Sequence, residues 1–211
     1  MRLRLDLHLH TTRSVDSSVR LEEAVRRVKE HGLDGFAVTD HDFLAEIPGD
    51  LSENSGLIII PGMEVSADGA HILAFDIQEP IPMKLPIPET VDRIHAQGGI
   101  AVIAHPYSVF KTWVDSTEIE GSGFDCVEVI NAHQFPFGYT LVKNRGLAER
   151  LGLPQTGGSD AHTPRTVGRA YTIFESESRD VEGVLDALRE GRTRAEGRGV
   201  SLAERLKLVK E

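Results

Sequence analysis

Asp6-Leu7-His8-Leu9-His10-Thr11 opens the chain with an apolar run that delivers two imidazoles one residue apart. Side chains of an extended strand alternate between its faces, so both rings project to the same side. Two neighbouring imidazoles in an apolar setting crowd one another unless a cation or a solvent-filled cleft lies between them. A metal site is the first reading of the pair. An edge strand with two solvated histidines is the other.

Outward from this stretch the same device recurs. Thr39-Asp40-His41, Gly62-Met63-Glu64, Ala104-His105-Pro106, Asn131-Ala132-His133 and Ser159-Asp160-Ala161-His162 each follow a short apolar run that reads as a buried strand. Those runs are 35–38, 57–60, 100–103, 126–130 and the shorter 153–156. Between them lie segments of helical spacing at 21–31, 90–97, 139–151 and 181–190. In the first, Leu21, Ala24, Val25 and Val28 share a face opposite Glu22, Glu23, Arg26, Arg27 and Lys29, the pattern of a surface helix packing inward. Gly32, Gly98, Gly152 and Gly191 supply the helix stops.

Strand and helix thus alternate with short connections, which points to an α/β fold with a mainly parallel sheet. The ligand-type residues come from at least six strands. In an open sheet, strands spaced ~5 Å apart would spread such a set over ~25 Å, too wide for one site. In a barrel every strand end faces one mouth, where such folds place their chemistry. With 211 residues the chain is short for eight βα units, so a distorted or seven-stranded barrel is expected.

That length suits one domain with a full core, and the 40% apolar and 27% charged fractions argue against disorder. The lone cysteine, Cys126, lies in an apolar run, so no intrachain disulfide can form and a reducing compartment is expected. No stretch approaches the ~18 apolar residues of a membrane span. Met1-Arg2-Leu3-Arg4 leads straight into the histidine pair rather than into a signal peptide, so a cytoplasmic location without a membrane partner is expected. The formal net charge of -10 argues against a non-specific nucleic-acid coat. Bound divalent cations would offset much of that charge and leave room for a phosphorylated substrate at a metal-charged cleft. No residue pattern assigns an oligomeric state.

The prolines at 80, 82, 86 and 88 read as a stiff loop before the helix that opens near Thr90, because ligand-type motifs lie on both sides of them. Residues 1–190 are read as one domain, and 191–211 as a charged tail made amphipathic by Leu202, Leu206 and Val209.

Taken in order, Asp6-Leu7-His8-Leu9-His10-Thr11, Asp16, Thr39-Asp40-His41, Gly62-Met63-Glu64, Ala104-His105-Pro106, His133 and Ser159-Asp160-Ala161-His162 resemble the polymerase and histidinol phosphatase (PHP) superfamily, from residue 6 to about residue 174. The resemblance implies a distorted (β/α)7 barrel of the TIM-like kind whose strand ends hold two or three divalent metals. It implies His8, His10, Glu64 and Asp160 around one metal, with Glu64 bridging to a second held by His105 and His133. Asp16, His41 and His162 would hold the third. All nine positions carry a competent side chain.

Charge supports the picture. Two dications about 4 Å apart repel by roughly 17 kcal/mol at an effective dielectric near 20, so anionic ligands must lie between them. Asp16, Glu64 and Asp160 supply three negative charges against six positive, and the remainder suits a hydroxide plus a phosphate. Mixed imidazole and carboxylate ligation fits zinc, manganese or iron better than calcium or magnesium. The implied chemistry is phosphoester hydrolysis in which water bridging two metals loses its proton and attacks phosphorus in line.

Outside the ligand set, His71 in His71-Ile72-Leu73-Ala74-Phe75 resembles the family's histidine-bearing strand near the metals; it is read as a phosphate contact or proton donor, with a core histidine as the alternative. His31 and His95 read as surface residues. Asp6 and Asp40 adjoin ligands and are expected to orient imidazoles, or to serve plain strand and turn roles. Arg165 and Arg13 can reach a substrate phosphate through paired hydrogen bonds, or be solvated loop arginines. Trp113, Phe135, Phe137 and Tyr139 can stack on a base or simply pack their loops.

The leading expectation is a phosphoesterase acting on a small phosphomonoester. A nuclease on the ends of short single-stranded RNA or DNA is the second reading, weakened by the acidic balance because strand tracking needs a basic groove. A non-catalytic metal-binding module is the third. The modest loop between His105 and Cys126 lacks the larger helical insertion of family members that act on nucleotides and RNA 5′ ends, which suggests a more open cleft.

Overall fold

Arg2-Leu3-Arg4-Leu5 alternates charge and apolarity, and the chain answers with a strand whose leucines point inward and whose arginines face solvent. The computed structural model describes residues 1–109, 111, 112 and 116–208; Trp113 and Val209 lie outside the described residues. The elements run β1 (Arg2–Asp6), α1 (Leu21–Glu30), β2 (Gly35–Val38), α2 (Gly49–Ser55), β3 (Ile58–Ser66), β4 (His71–Phe75), α3 (Ile87–His95) and β5 (Ile100–Ile103). They continue with α4 (Ser116–Gly121), β6 (Cys126–Asn131), α5 (Phe137–Leu151), β7 (Gln155–Gly158), β8 (Ala170–Glu175), α6 (Val181–Arg189), β9 (Thr193–Gly197) and α7 (Leu202–Leu208).

Among the described residues nine strands form one sheet in the order β7-β6-β5-β4-β3-β2-β1-β8-β9. The pairs β1/β2, β2/β3, β5/β6 and β6/β7 are parallel, whereas β4 runs against both neighbours and β8 runs against β1 and β9. The sheet curls into a nearly closed barrel. Closure is made past the strand ends: the Asp160 N–H donates to the His8 carbonyl at 2.7 Å and the His10 N–H to the Ala161 carbonyl at 3.1 Å. Gly158 permits it, since a Cβ there would lie 2.3 Å from the His8 Cβ.

Period-2 alternation sets what fills the barrel. Leu3, Leu5, Leu7, Ile58, Ile60, Leu73, Phe75, Ile100, Val102 and Cys126 form a buried cluster with Val184, Leu185 and Leu188 of α6. The same inward-facing rows continue toward the C-terminal ends of the parallel strands as Glu64 on β3 and Glu128 on β6, and as His71 at the start of the reversed β4. An apolar floor therefore supports a polar mouth. Outside, Ala24 and Val28 of α1 pack on Phe36 and Ile59, while Ile87, Val91 and Ile94 of α3 pack on Ala74, Ala101 and Ile103.

The barrel is of the expected distorted kind, with local differences. The ladder of β1 stops at Asp6, so His8 and His10 ride on an extended segment paired to residues 160 and 161 rather than within the strand. Helix α3 starts at Ile87, ahead of Thr90, because Pro88 fits its first turn. The charged segment from 191 supplies β9, an edge strand with only Ala195 buried, before α7 folds back on the barrel. Among the described residues no helix is long and apolar enough to cross a membrane.

Candidate metal centre

Every parallel strand delivers its ligand-type residues to the same pole. His8, His10 and Asp16 follow β1, His41 follows β2, Glu64 lies in the last turn of side chains on β3, His105 follows β5, His133 follows β6, and Asp160 and His162 follow β7. His71 joins them because β4 runs the other way and begins where the others end. His105 and Asp160 take positive φ angles of 33° and 54°, an arrangement uncommon for side-chain-bearing residues and typical of sites where the surroundings over-determine the backbone.

The donors converge closely. Donor trios within 4.8 Å are His8, His10 and Glu64; His8, His105 and Asp160; His10, His41 and His162; and His41, Glu64 and His71. His8 Nε2 lies 3.2 Å from His10 Nε2 and 3.3 Å from Glu64 Oε1, and His10 Nε2 lies 3.3 Å from both Glu64 Oε2 and Asp160 Oδ1. Those separations match the edge of about 3.4 Å of a tetrahedron whose corners stand ~2.1 Å from a central zinc-like cation. Asp16 and His133 belong to none of the trios. Asp16 Oδ2 still reaches within 3.3 Å of His162 Nε2 and 3.7 Å of His41 Nε2, and the His133 ring stands 6.2 Å from that of His162.

The donor set fits divalent cations on an observation of its own. Glu64 Oε2, Asp160 Oδ1, His105 Nδ1 and His133 Nε2 are buried and have no hydrogen-bond partner among the described residues. Buried polar atoms are rarely left so, and here four cluster at one end of a barrel. Burial, helped by the charge of Lys111, pushes the His105 pKa down to about 4, and burial brings His133 down to about 4, so both rings are neutral and keep a lone pair to offer. Burial would protonate Glu64 and Asp160, but the charges of His8 beside the first and of Lys111 beside the second hold both carboxyls well below the usual range. For His8 burial works against the cationic form, and the carboxylates of Glu128, Glu64 and Asp160 outweigh it.

Supporting contacts fix the rings. His8 Nδ1 lies 3.0 Å from Glu128 Oε1, and Glu128 Oε2 accepts the His105 N–H at 2.9 Å and the Asn131 amide at 3.0 Å. The Asn131 Oδ1 accepts the His133 N–H at 2.9 Å. Glu128 is thus a hub the sequence did not single out, although a lone acid inside Cys126-Val127-Glu128-Val129-Ile130 was a legible sign. Asp40 acts on His10 through a neighbour: it accepts the Ser14 hydroxyl at 2.7 Å, and that oxygen lies 3.3 Å from His10 Nδ1. Among the described residues Asp6 makes no hydrogen bond to an imidazole. Its carboxylate accepts the backbone N–H groups of His8, Ser159 and Gly168, because its side chain points between the closing segments.

Lys111 was also not singled out, since nothing in sequence brings it beside a residue 49 positions away. Its ammonium pairs with Asp160 Oδ2. His71 Nδ1 lies 3.0 Å from Glu64 Oε1. Arg13 is exposed, stacks 4.9 Å over Phe43, and lines a cavity of about 200 Å³ with Thr11 and Asp40. Arg165 is exposed and lines a cleft of about 450 Å³ with Asp16 and His162. Phe135 and Tyr139 are exposed beside Arg205 and Lys143 respectively, whereas Phe137 packs against the core. His31 and His95 lie on the surface.

Comparison with known proteins agrees with this geometry. A family described as PHP domain matches residues 6–118, and one described as PHP-associated matches residues 142–193. An uncharacterized protein of Methanocaldococcus jannaschii is 30% identical over 144 residues, covering 62% of this chain and 83% of that protein. In fold, the chain is similar to a two-domain protein of Bacteroides vulgatus containing a PHP-like metal-dependent phosphoesterase, with a TM-score of 0.71 and 21% identity; the match covers 94% of this chain and 65% of that one. It is also similar to the lesion-specific endonuclease Q of Pyrococcus furiosus, with a TM-score of 0.70 and 17% identity over 92% of this chain and 58% of that one.

Proposed function

The chain belongs to the PHP domain family of metal-dependent phosphoesterases, and from that premise we propose that it hydrolyses small phosphomonoesters at a centre of two or three divalent cations. The observation that carries the reading is the convergence of imidazole and carboxylate donors at the barrel mouth, four of them buried atoms without a hydrogen bond among the described residues. His8, His10, Glu64 and Asp160 would hold one cation, Glu64, His105 and His133 a second, and Asp16, His41 and His162 a third. The donor chemistry fits zinc, manganese or iron. When bound, the cations supply Lewis-acid polarisation of the phosphoryl group and water acidic enough to attack near neutral pH.

The chain's own residues prepare that chemistry. Glu128 holds the His8 ring by Nδ1 and leaves Nε2 facing the other donors. Asp40, through Ser14, does the same for His10. Neutral His105 and His133 offer lone pairs at the working pH of a reducing compartment, the cytoplasm on this reading. Arg165 beside Asp16 and His162, and Arg13 beside Thr11, supply guanidinium groups to the anionic substrate. With Nδ1 engaged by Glu64, His71 keeps Nε2 for a phosphate contact or for a proton to the leaving oxygen.

Cleavage of short single-stranded RNA or DNA is the second reading, supported by the fold likeness to endonuclease Q and opposed by the net charge of -10. Purified protein supplied with Mn²⁺ or Zn²⁺ is offered an aryl phosphate, a nucleotide panel and short labelled single strands, with Asp160→Ala as control. Phosphate release from small esters alone supports the proposal, and shortened strands support the second reading. Inactivity on all three, with metal content verified, overturns both in favour of a non-catalytic metal-binding module.

A further inference from the structure

Lys111 lies in the segment after β5, the strand that delivers His105. That segment is tied down at several points: the Ser108 N–H donates to the His105 carbonyl at 2.9 Å and the Lys111 N–H to the Ser108 carbonyl at 3.1 Å. It is also tied to the loop after β6, through the Val109 N–H to the Phe135 carbonyl at 2.9 Å and the Phe135 N–H to Ser108 Oγ at 3.1 Å. The lysine ammonium then crosses to Asp160, past the end of β7. One side chain thereby joins two of the loops that carry the metal-binding donors, and its own segment is tied to a third through Val109 and Ser108.

The carboxylate of Asp160 is divided between two jobs. Its Oδ1 faces His10 Nε2 at 3.3 Å, and His8 Nε2 and His162 Nδ1 at 3.6 Å, and it has no hydrogen-bond partner. Its Oδ2 holds Lys111. A cation can therefore be taken by one oxygen while the other keeps the ammonium in place. An ammonium carries three N–H donors, so one anchored by a single carboxylate oxygen has others to give. The Lys111 side chain is 28% exposed and the carboxylate that holds it 1%, so a soluble anion can reach the lysine where it cannot reach the carboxylate.

On the footing of the phosphoesterase reading above, we propose that Lys111 is a substrate-phosphate contact, a cation fixed by Asp160 Oδ2 beside the metal donors so that its remaining N–H groups take the phosphoryl oxygens. A fixed point charge at this place complements the dianion of a phosphomonoester without consuming a metal ligand. The lysine binds substrate and does not build the metal site.

The test compares wild type, Lys111→Met and Lys111→Arg, each supplied with Mn²⁺. Bound manganese is counted by elemental analysis, inorganic phosphate affinity is measured by calorimetry, and KM and kcat are measured on an aryl phosphate. Expected for Lys111→Met are an unchanged manganese count, phosphate binding weaker by about tenfold, and a KM raised by about tenfold with kcat changed much less. Lys111→Arg is expected to recover most of the phosphate affinity. Unchanged phosphate affinity in Lys111→Met overturns the proposal. So does a parallel loss of manganese and phosphate binding, the signature of a structural counter-ion to Asp160. Should Lys111→Met fail to fold, Lys111→Gln carries the same comparison. Inactivity of wild type on every ester would refute the phosphoesterase reading, while calorimetry with phosphate would still decide the role of Lys111.

Discussion

At the scale of single residues, the inner face of one strand illustrates the division between floor and mouth. On β6, Cys126 and Glu128 point the same way two residues apart, one into the apolar filling and one among imidazoles. Burial pushes the Cys126 thiol far up, which disfavours the reactive thiolate. A thiol reagent such as dithionitrobenzoate is expected to react with no cysteine in the folded protein and with one per chain after denaturation. Glu128→Gln removes the charge that holds His8 and is expected to weaken metal binding roughly 10- to 100-fold, measured by competition with a chromogenic chelator. The ligand-type residues were legible because histidine and carboxylates at strand ends have few other uses in a buried setting. Lys111 and the Ser14 link were not, since each depends on a partner brought in by folding, 49 and 26 positions away in sequence.

Among the elements, α7 bears directly on the site. Ser201 and Glu204 form a capping box: the Ser201 N–H donates to Glu204 Oε2 at 2.9 Å and the Glu204 N–H to Ser201 Oγ at 3.3 Å. Arg205 then donates to the backbone carbonyls of His133 and Gln134 at 2.8 and 3.3 Å and lies over the Phe135 ring. The helix therefore steadies the loop that presents His133. Arg205→Ala is expected to lower occupancy of the cation assigned to His105 and His133, read as a reduced metal-to-protein ratio after gel filtration. The Ser201 donors, joined by Arg169, bring the Glu204 pKa from 4.5 down to about 2. A carboxylate depressed on folding lends its stability in full above the unfolded pKa and loses it as pH falls toward the folded one. Amide protection in α7, corrected for intrinsic exchange, should thus weaken between pH 4.5 and 2, and Glu204→Gln should lack part of it already at pH 7. The sequence marks this segment as amphipathic, yet Leu202 and Leu206 stay exposed, and among the described residues polar contacts from Glu204 and Arg205 do the docking.

For the whole molecule, closure is the decisive property, and it concentrates unlike groups in one place. Imidazoles, carboxylates and an ammonium meet where β7 reaches back to the segment after β1, so the barrel end is held by polar atoms that cations would satisfy. Ligand binding to the native state alone adds about 2.7 kcal/mol at a free concentration of about 100 Kd. For a chain of this size that corresponds to roughly 5–10 °C, so EDTA is expected to lower Tm by about that amount, and Mn²⁺ in excess to restore it. The barrel itself was legible from donors on many strands that had to converge. The reversal of β8 and the edge strand β9 were not, because Thr193-Arg194-Ala195-Glu196-Gly197 has a single buried apolar side chain and is a strand only by virtue of its pairing with β8.

The reversed β4 has a use beyond the histidine it carries. Because β3 ends and β4 begins at the mouth, the four hairpin residues Ala67, Asp68, Gly69 and Ala70 lie at that end of the barrel, tied by the hydrogen bond from the Asp68 N–H to the Leu85 carbonyl. A connection of this kind can be lengthened or exchanged without cutting a crossover helix. The hairpin is therefore the natural graft point for an engineer who wishes to give the barrel a new appetite while leaving its ligands alone.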